Sequence, residues 1–164
     1  MRRANARAED VLKNLPTLET DRLILRKIIL GDAEAVFDYT SDPEVTRYVI
    51  WDTHRTIEDS ETFLRSVAER YENARAEMGY VLSRQYWGQG LMPEAVRAMI
   101  AFGFEKMGLN RLEAHCITEN TASARVMEKA GMLYEGTLRQ REFIKGAYRD
   151  TKIYSILKSE FSRR

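Results

Sequence analysis

The spacing of apolar residues divides this chain into alternating strand-like and helix-like runs. Arg22 to Ile29 reads as a strand, and Asp32 to Ser41 as a helix capped by Asp32 with Ala35, Val36 and Tyr39 facing inward. Asp42-Pro43 stops that helix, and Pro43 to Tyr48 is expected to form a helical turn. Thr56 to Asn73 carries Phe63, Leu64, Val67 and Tyr71 on one helical face. A strand from Glu77 to Ser83 comes next. It is followed by a helix from Glu94 to Met107 with Ala95, Ala98, Met99, Phe102 and Met107 inward and Pro93 as its first residue. Strand Leu112 to Thr118, helix Thr121 to Ala130 and two closing strands near Tyr134 to Ile144 and Tyr148 to Leu157 complete the pattern. Gly108 and Gly131 serve as helix stops.

Chemistry concentrates within the second strand-helix pair. Gln85-Tyr86-Trp87-Gly88-Gln89-Gly90-Leu91-Met92-Pro93 joins a strand to a helix through two glycines. Glycine lets a backbone turn tightly, and the first amides of a helix have no partner within it, so such a turn can cradle a phosphate. Two glycines before a helix are more often geometry alone. A second block, Asn120-Thr121-Ala122-Ser123 through Glu128-Lys129-Ala130-Gly131-Met132, again follows a strand-like run and makes the pair specific.

Together these residues resemble the GCN5-related N-acetyltransferase family. Its acetyl-CoA loop has the form Gln/Arg-x-x-Gly-x-Gly/Ala, here Gln85-x-x-Gly88-x-Gly90, and its Asn-x-x-Ser...Glu-Lys-x-Gly element is similar to the downstream block. Leu18-Glu19-Thr20-Asp21-Arg22-Leu23-Ile24-Leu25-Arg26, the run Ala76 to Leu82, Glu135 to Gln140 and Tyr148 to Ser155 resemble the ribosomal-protein-alanine branch. The likeness spans roughly residues 16 to 161. It implies an α/β fold of the α+β kind, a mixed, mostly antiparallel central sheet flanked by helices, with acetyl-CoA as cosubstrate. Residues 1–15 read as an arm and 16–164 as one domain.

The resemblance assigns Gln85, Gly88, Gln89, Gly90, Leu91 and Met92 to the pyrophosphate. Val81 and Leu82 would offer backbone to the pantetheine. Asn120 is a helix cap on its own reading and a cofactor contact by resemblance. Many members place a tyrosine general acid on this helix, where Met127 stands here. Ser123 would therefore hydrogen-bond or protonate the departing thiolate. Two carboxylates compete as base: Glu77 on the central strand and Glu142, which matches the ribosomal-protein branch and is favoured. Surface charge is the bland reading of each. His54, His115 and Cys116 read as packed or edge residues, and no metal-ligand cluster appears in the sequence.

Composition narrows the class. At 164 residues, 44% hydrophobic and 31% charged with net charge +1, the chain reads as one globular domain. Bulk charge gives no reason to expect nucleic acid, no run is apolar enough for a membrane span, and a lone cysteine fits a reducing cytoplasm. A homodimer is left open.

One departure from the family stands out. Members carry a two-stranded hairpin before the central strand, yet Glu72-Asn73-Ala74 runs almost directly into Arg75-Ala76-Glu77. Losing it naturally would expose unpaired strand edges, so an omitted segment reads better than a deletion. The expected reaction is direct transfer of acetyl to a primary amine, with a protein N-terminus favoured and a small amine open. The rival from another class is an acyl-CoA-binding sensor without turnover.

Overall fold

The computed structural model describes residues 10–72 and 78–161, with only the backbone of Tyr71 and Glu72. The proposed base Glu77, the junction at residues 73–77 and the first part of the expected arm lie outside the described residues. The chain opens on β1 (Leu18–Glu19) and β2 (Ile24–Leu25), then α1 (Ala33–Thr40), α2 (Pro43–Thr46) and α3 (Ile57–Glu72). The second half holds α4 (Leu91–Glu105), β3 (Arg111–Ile117), α5 (Thr121–Lys129), β4 (Leu133–Ile144), β5 (Ala147–Leu157) and α6 (Lys158–Phe161).

Two antiparallel sheets form. β1 pairs β2 alone, and the larger sheet runs β3-β5-β4. Lys145 and Gly146 close the β4–β5 hairpin with φ of 49° and 81°, the geometry of a two-residue turn that matches strand twist. β4 bulges between Tyr134 and Gly136 and again between Leu138 and Glu142.

Two strand expectations are corrected here. Arg22 to Ile29 is not one long strand, because the Thr20 amide bonds Leu23 O at 2.9 Å and folds the chain into a tight turn between β1 and β2. Residues 78–83 join no sheet among the described residues. Beyond the short β1–β2 pair, neither segment meets a further strand among the described residues, and a strand without a neighbour has no ladder to complete. Ile24 is left 70% exposed.

The core lies between α4, α5 and the larger sheet. Val96, Ile100 and Phe104 of α4 meet Ala114 and Cys116 of β3, Met127 of α5 and Tyr154 and Ile156 of β5. The inward face of α4 is thus turned from the expected one: Ala95 and Met107 are buried, but Ala98, Met99 and Phe102 are only partly so. Its start also moves. Gly90 is the N-cap and Leu91 the first residue, which puts Pro93 third, where a missing amide still costs nothing. Ala35 faces solvent while Val36 and Thr40 are buried. Asp32 holds the N-cap position of α1 without capping it. Its carboxylate accepts from the Ile29 amide at 2.8 Å and pairs Arg26 at 2.6 Å, which holds it at a pKa of about 2.

Candidate functional site

A cleft of about 450 Å³ opens between the 78–83 segment, the loop into α4, the start of α5 and the stretch after α2. The loop's shape follows from its glycines. Gly88 and Gly90 both have φ of 76°, and a Cβ at Gly88 would meet nothing within 4 Å, so its freedom is needed for the turn rather than for space. A 3-10 turn at Arg84–Tyr86 leads in, and the Gln89 side-chain amide donates to Gln85 O at 2.9 Å. The backbone amides of Gly88 to Met92 have no hydrogen-bond partner among the described residues. They sit at the positive end of α4, so the donor set fits a pyrophosphate.

The loop is held from the far end of the sequence. Arg22 donates from Nε to Glu94 Oε2 at 2.7 Å and from Nη1 to Gln89 O at 3.0 Å. Glu94 also accepts from the Thr20 hydroxyl at 2.5 Å and the Arg22 amide at 3.1 Å. Thr20 above all, then Arg22, keeps the Glu94 carboxyl below its usual pKa. The Leu18–Arg26 motif, read as a strand, therefore has a second use as the brace of the coenzyme loop. Only the fold brings residues 20 and 94 together.

Among the expected coenzyme residues, Val81, Leu82, Gly88, Gly90, Leu91, Met92 and Asn120 line the cleft. Gln85 and Gln89 do not, and serve the loop's own shape. Leu82 O is engaged by the Trp87 indole N–H at 2.7 Å. Asn120 Oδ1 accepts from the Ser123 amide at 3.0 Å, so the capping role is met. Arg47, Arg125 and Lys129 face the cleft against one acid, Glu44, a balance that suits an anionic ligand.

Ser123 lines the cleft near the N-terminus of α5. Met127, one turn on, is fully buried, so the family's tyrosine position is spent on the core. A tyrosine reaches the serine from elsewhere. Tyr80 places its hydroxyl 2.9 Å from Ser123 Oγ and 3.1 Å from Ser123 O. Burial, partly offset by that serine, pushes the phenol up to about 12. The sequence offered no signal for this, because Tyr80 and Ser123 stand 43 positions apart.

Glu142, the candidate base among the described residues, is placed less centrally. Glu142 lies just past the second β4 bulge opposite Arg149, with its carboxylate 3.4 Å from Arg141 Nε and 43% exposed. It is not among the residues lining the cleft with Ser123. His115 lies 3.4 Å from Arg141, and Cys116 is buried, as read from sequence. His54 is buried too, with Nδ1 at 2.8 Å from both the Thr40 and Ser60 hydroxyls, which ties α1 to α3. Among the described residues no group of side chains could hold a metal, and no helix is long and apolar enough to cross a membrane.

An amide cradle and a cationic cleft with a serine hydroxyl in its wall suit a group transferase that draws on an anionic donor. The acetyltransferase (GNAT) domain matches residues 22–75 and 67–133, and the chain belongs to that family. It is 34% identical to the uncharacterized N-acetyltransferase p20 of Bacillus licheniformis, over 90% of this chain and 99% of the relative. The crystal structure of a GNAT-family acetyltransferase from Bacillus anthracis superposes with a TM-score of 0.78 at 30% identity, covering 88% of this chain and 99% of that one. The ribosomal-protein-serine acetyltransferase of Escherichia coli (strain K12) is 35% identical over 51% of this chain and 46% of its own length.

The alignment also bears on the gap. The p20 match runs over 177 positions using 90% of a 164-residue chain, which leaves roughly 30 positions without a counterpart here, enough to include a two-stranded hairpin. The family match breaks and restarts within residues 67–75, where the hairpin is expected.

Proposed function

We propose that this protein transfers acetyl from acetyl-CoA to a primary amine, with the α-amine of a protein N-terminus as the favoured acceptor. The observation that carries this reading is the set of backbone amides without a partner among the described residues at Gly88, Gly90, Leu91 and Met92, residues that line the same cleft as Ser123. Acetyl-CoA supplies a thioester acyl group and an anionic handle. The amides hold the pyrophosphate without a buried counter-ion, while Val81 and Leu82 offer backbone along the cleft. Ser123 Oγ–H donates to sulfur as the amine forms the C–N bond and the C–S bond breaks, the electron pair leaving on sulfur.

Glu142 takes the amine's proton through an intervening water, and Glu77 is the rival base. A peptide α-amine has a pKa near 7.7 to 8.0 and a lysine near 10.4, so the α-amine costs about 3.5 kcal/mol less to deprotonate. That modest demand suits a single exposed glutamate. Similarity to a ribosomal-protein-serine acetyltransferase supports the same acceptor class. The test is a panel of N-terminal peptides, lysine side-chain analogues and polyamines, read by thiol release and product mass. Acetylation of peptide α-amines is the expected result. Binding of acetyl-CoA with no release above hydrolysis for any amine would make the protein a sensor.

A further inference from the structure

We infer that Tyr80 is a positioning residue for the leaving sulfur, acting through Ser123 as the second donor in a two-hydroxyl chain. The geometry carries this. The Tyr80 hydroxyl has two acceptors on one residue, Ser123 O at 3.1 Å and Ser123 Oγ at 2.9 Å. A phenol has one hydrogen. With the cleft at rest, Tyr80 donates to the Ser123 carbonyl and receives the serine hydrogen. When negative charge develops on a sulfur in the cleft, the serine hydrogen turns toward it and leaves Oγ as a free acceptor. The tyrosine hydrogen then moves from the carbonyl to Oγ. Each hydrogen makes one small rotation and no heavy atom is displaced, so the response is prepared in advance. A donor that itself receives a hydrogen bond is the stronger one.

Tyr80 is held for this role. It lines the cleft, and its ring packs against the core that contains Cys116 and Met127. Its phenol, pushed up to about 12, is roughly three units less acidic than an ordinary thiol near 8.5, so both hydroxyls keep their protons and the chain stabilises charge without transferring a proton. The placement answers the absence of the helical tyrosine: with Met127 in the core, the phenol comes from the segment at residues 78–83. Other groups bear on the same spot, namely the Cys116 thiol that Ser123 also touches, Lys152 and Glu128 near that thiol, and Arg125 and Lys129 in the cleft wall.

This inference rests on the proposed orientation of Ser123 toward the thioester sulfur. The experiment separates the two by measuring calorimetric affinity for coenzyme A and for desulfo-coenzyme A across pH. The ratio between ligands isolates the thiol, because titration of Cys116, Lys152 and Glu128 affects both. In the parent, the ratio favours coenzyme A increasingly as pH rises toward the free thiol pKa of about 8.5. Tyr80→Phe keeps the ring, and it should lower that ratio about threefold to tenfold at high pH, the scale of one ordinary hydrogen bond because Tyr80 meets the charge only through Ser123, with desulfo-coenzyme A affinity unchanged. Equal weakening of both ligands would make Tyr80 merely structural and overturn the inference. A parent-like ratio in Tyr80→Phe alongside a flattened one in Ser123→Ala would also overturn it while sparing the Ser123 reading. A parent-like ratio in Ser123→Ala would remove that reading as well.

Discussion

The two ends of the cleft are built in different ways. At the coenzyme end, one continuous run, Arg84 to Glu94, supplies the turn, the free amides and the first turn of α4, and distant residues only brace it. At the end proposed for the acceptor, Arg47, Tyr48 and Val49 come from the stretch after α2, Tyr80 from an unpaired segment and Ser123 from α5. Backbone recognition of a phosphate needs local conformation, so it can be written in a dozen consecutive residues. Recognition of an acceptor needs side chains from several elements, so no single stretch of sequence records it.

The contrast predicts that changes to the groups proposed for the chemistry, inside or outside the cleft wall, remove turnover but not binding. Glu142→Gln gives the largest effect expected, a loss of about 100 to 10,000-fold at neutral pH, recovering as rising pH supplies free amine. Acetyl-CoA affinity should stay at the parent value. Glu77→Gln is the control, and a pH-rescued loss in that variant alone would move the base assignment to Glu77.

The converse holds at the coenzyme end. Gly88→Glu forces a side chain into a φ of 76° and sets a carboxylate beside the phosphate cradle. Acetyl-CoA at about 100 times its dissociation constant should stabilise the parent by about 2.7 kcal/mol, and the variant should show no shift in melting temperature. An unchanged shift would dismiss the cradle.

A smaller effect is expected from the brace. Arg22→Ala removes the contacts to Glu94 and Gln89, but the Arg22 side chain is 50% exposed. The loss should therefore be near 1 kcal/mol, or about fivefold in acetyl-CoA affinity. Calorimetry with the variant decides it, and an affinity within error of the parent would show that the loop keeps its shape unaided.

The smallest effect concerns the buried His54, which the fold holds against Thr40 and Ser60 behind the acceptor end. Burial lowers its pKa from 6.5, with Asp59 opposing. Folded protein thus binds its proton less readily than unfolded chain. The stability contribution is complete above pH 6.5 and is lost as pH falls below it toward the folded value. Melting between about pH 7.5 and 5.5 should slope more steeply in the parent than in His54→Asn, and equal slopes would remove His54 as the cause.

The order of helices and strands after residue 90 was legible because those segments are long and periodic, and closing strands at Leu133–Ile144 and Ala147–Leu157 fall within a residue of expectation. The amide cradle and the Asn120 cap were legible for the same local reason. The facing of α4 was not, because Val96, Ile100 and Phe104 are selected by what β3 and α5 place opposite them. Nor were the strands near Arg22 and Met78, where a pattern that suits a long strand meets only the two-residue β1 in the first case and no strand among the described residues in the second.

By itself, then, the sequence determined the family, the glycine turn before α4 and the helix that carries Ser123, since each depends on backbone geometry within one short segment. Tertiary structure alone decided that Arg22 braces the loop, that Met127 is core, that Glu142 stands outside the cleft wall and that Tyr80 meets Ser123. Those outcomes join residues far apart in the chain, and no local pattern records a contact that only packing creates.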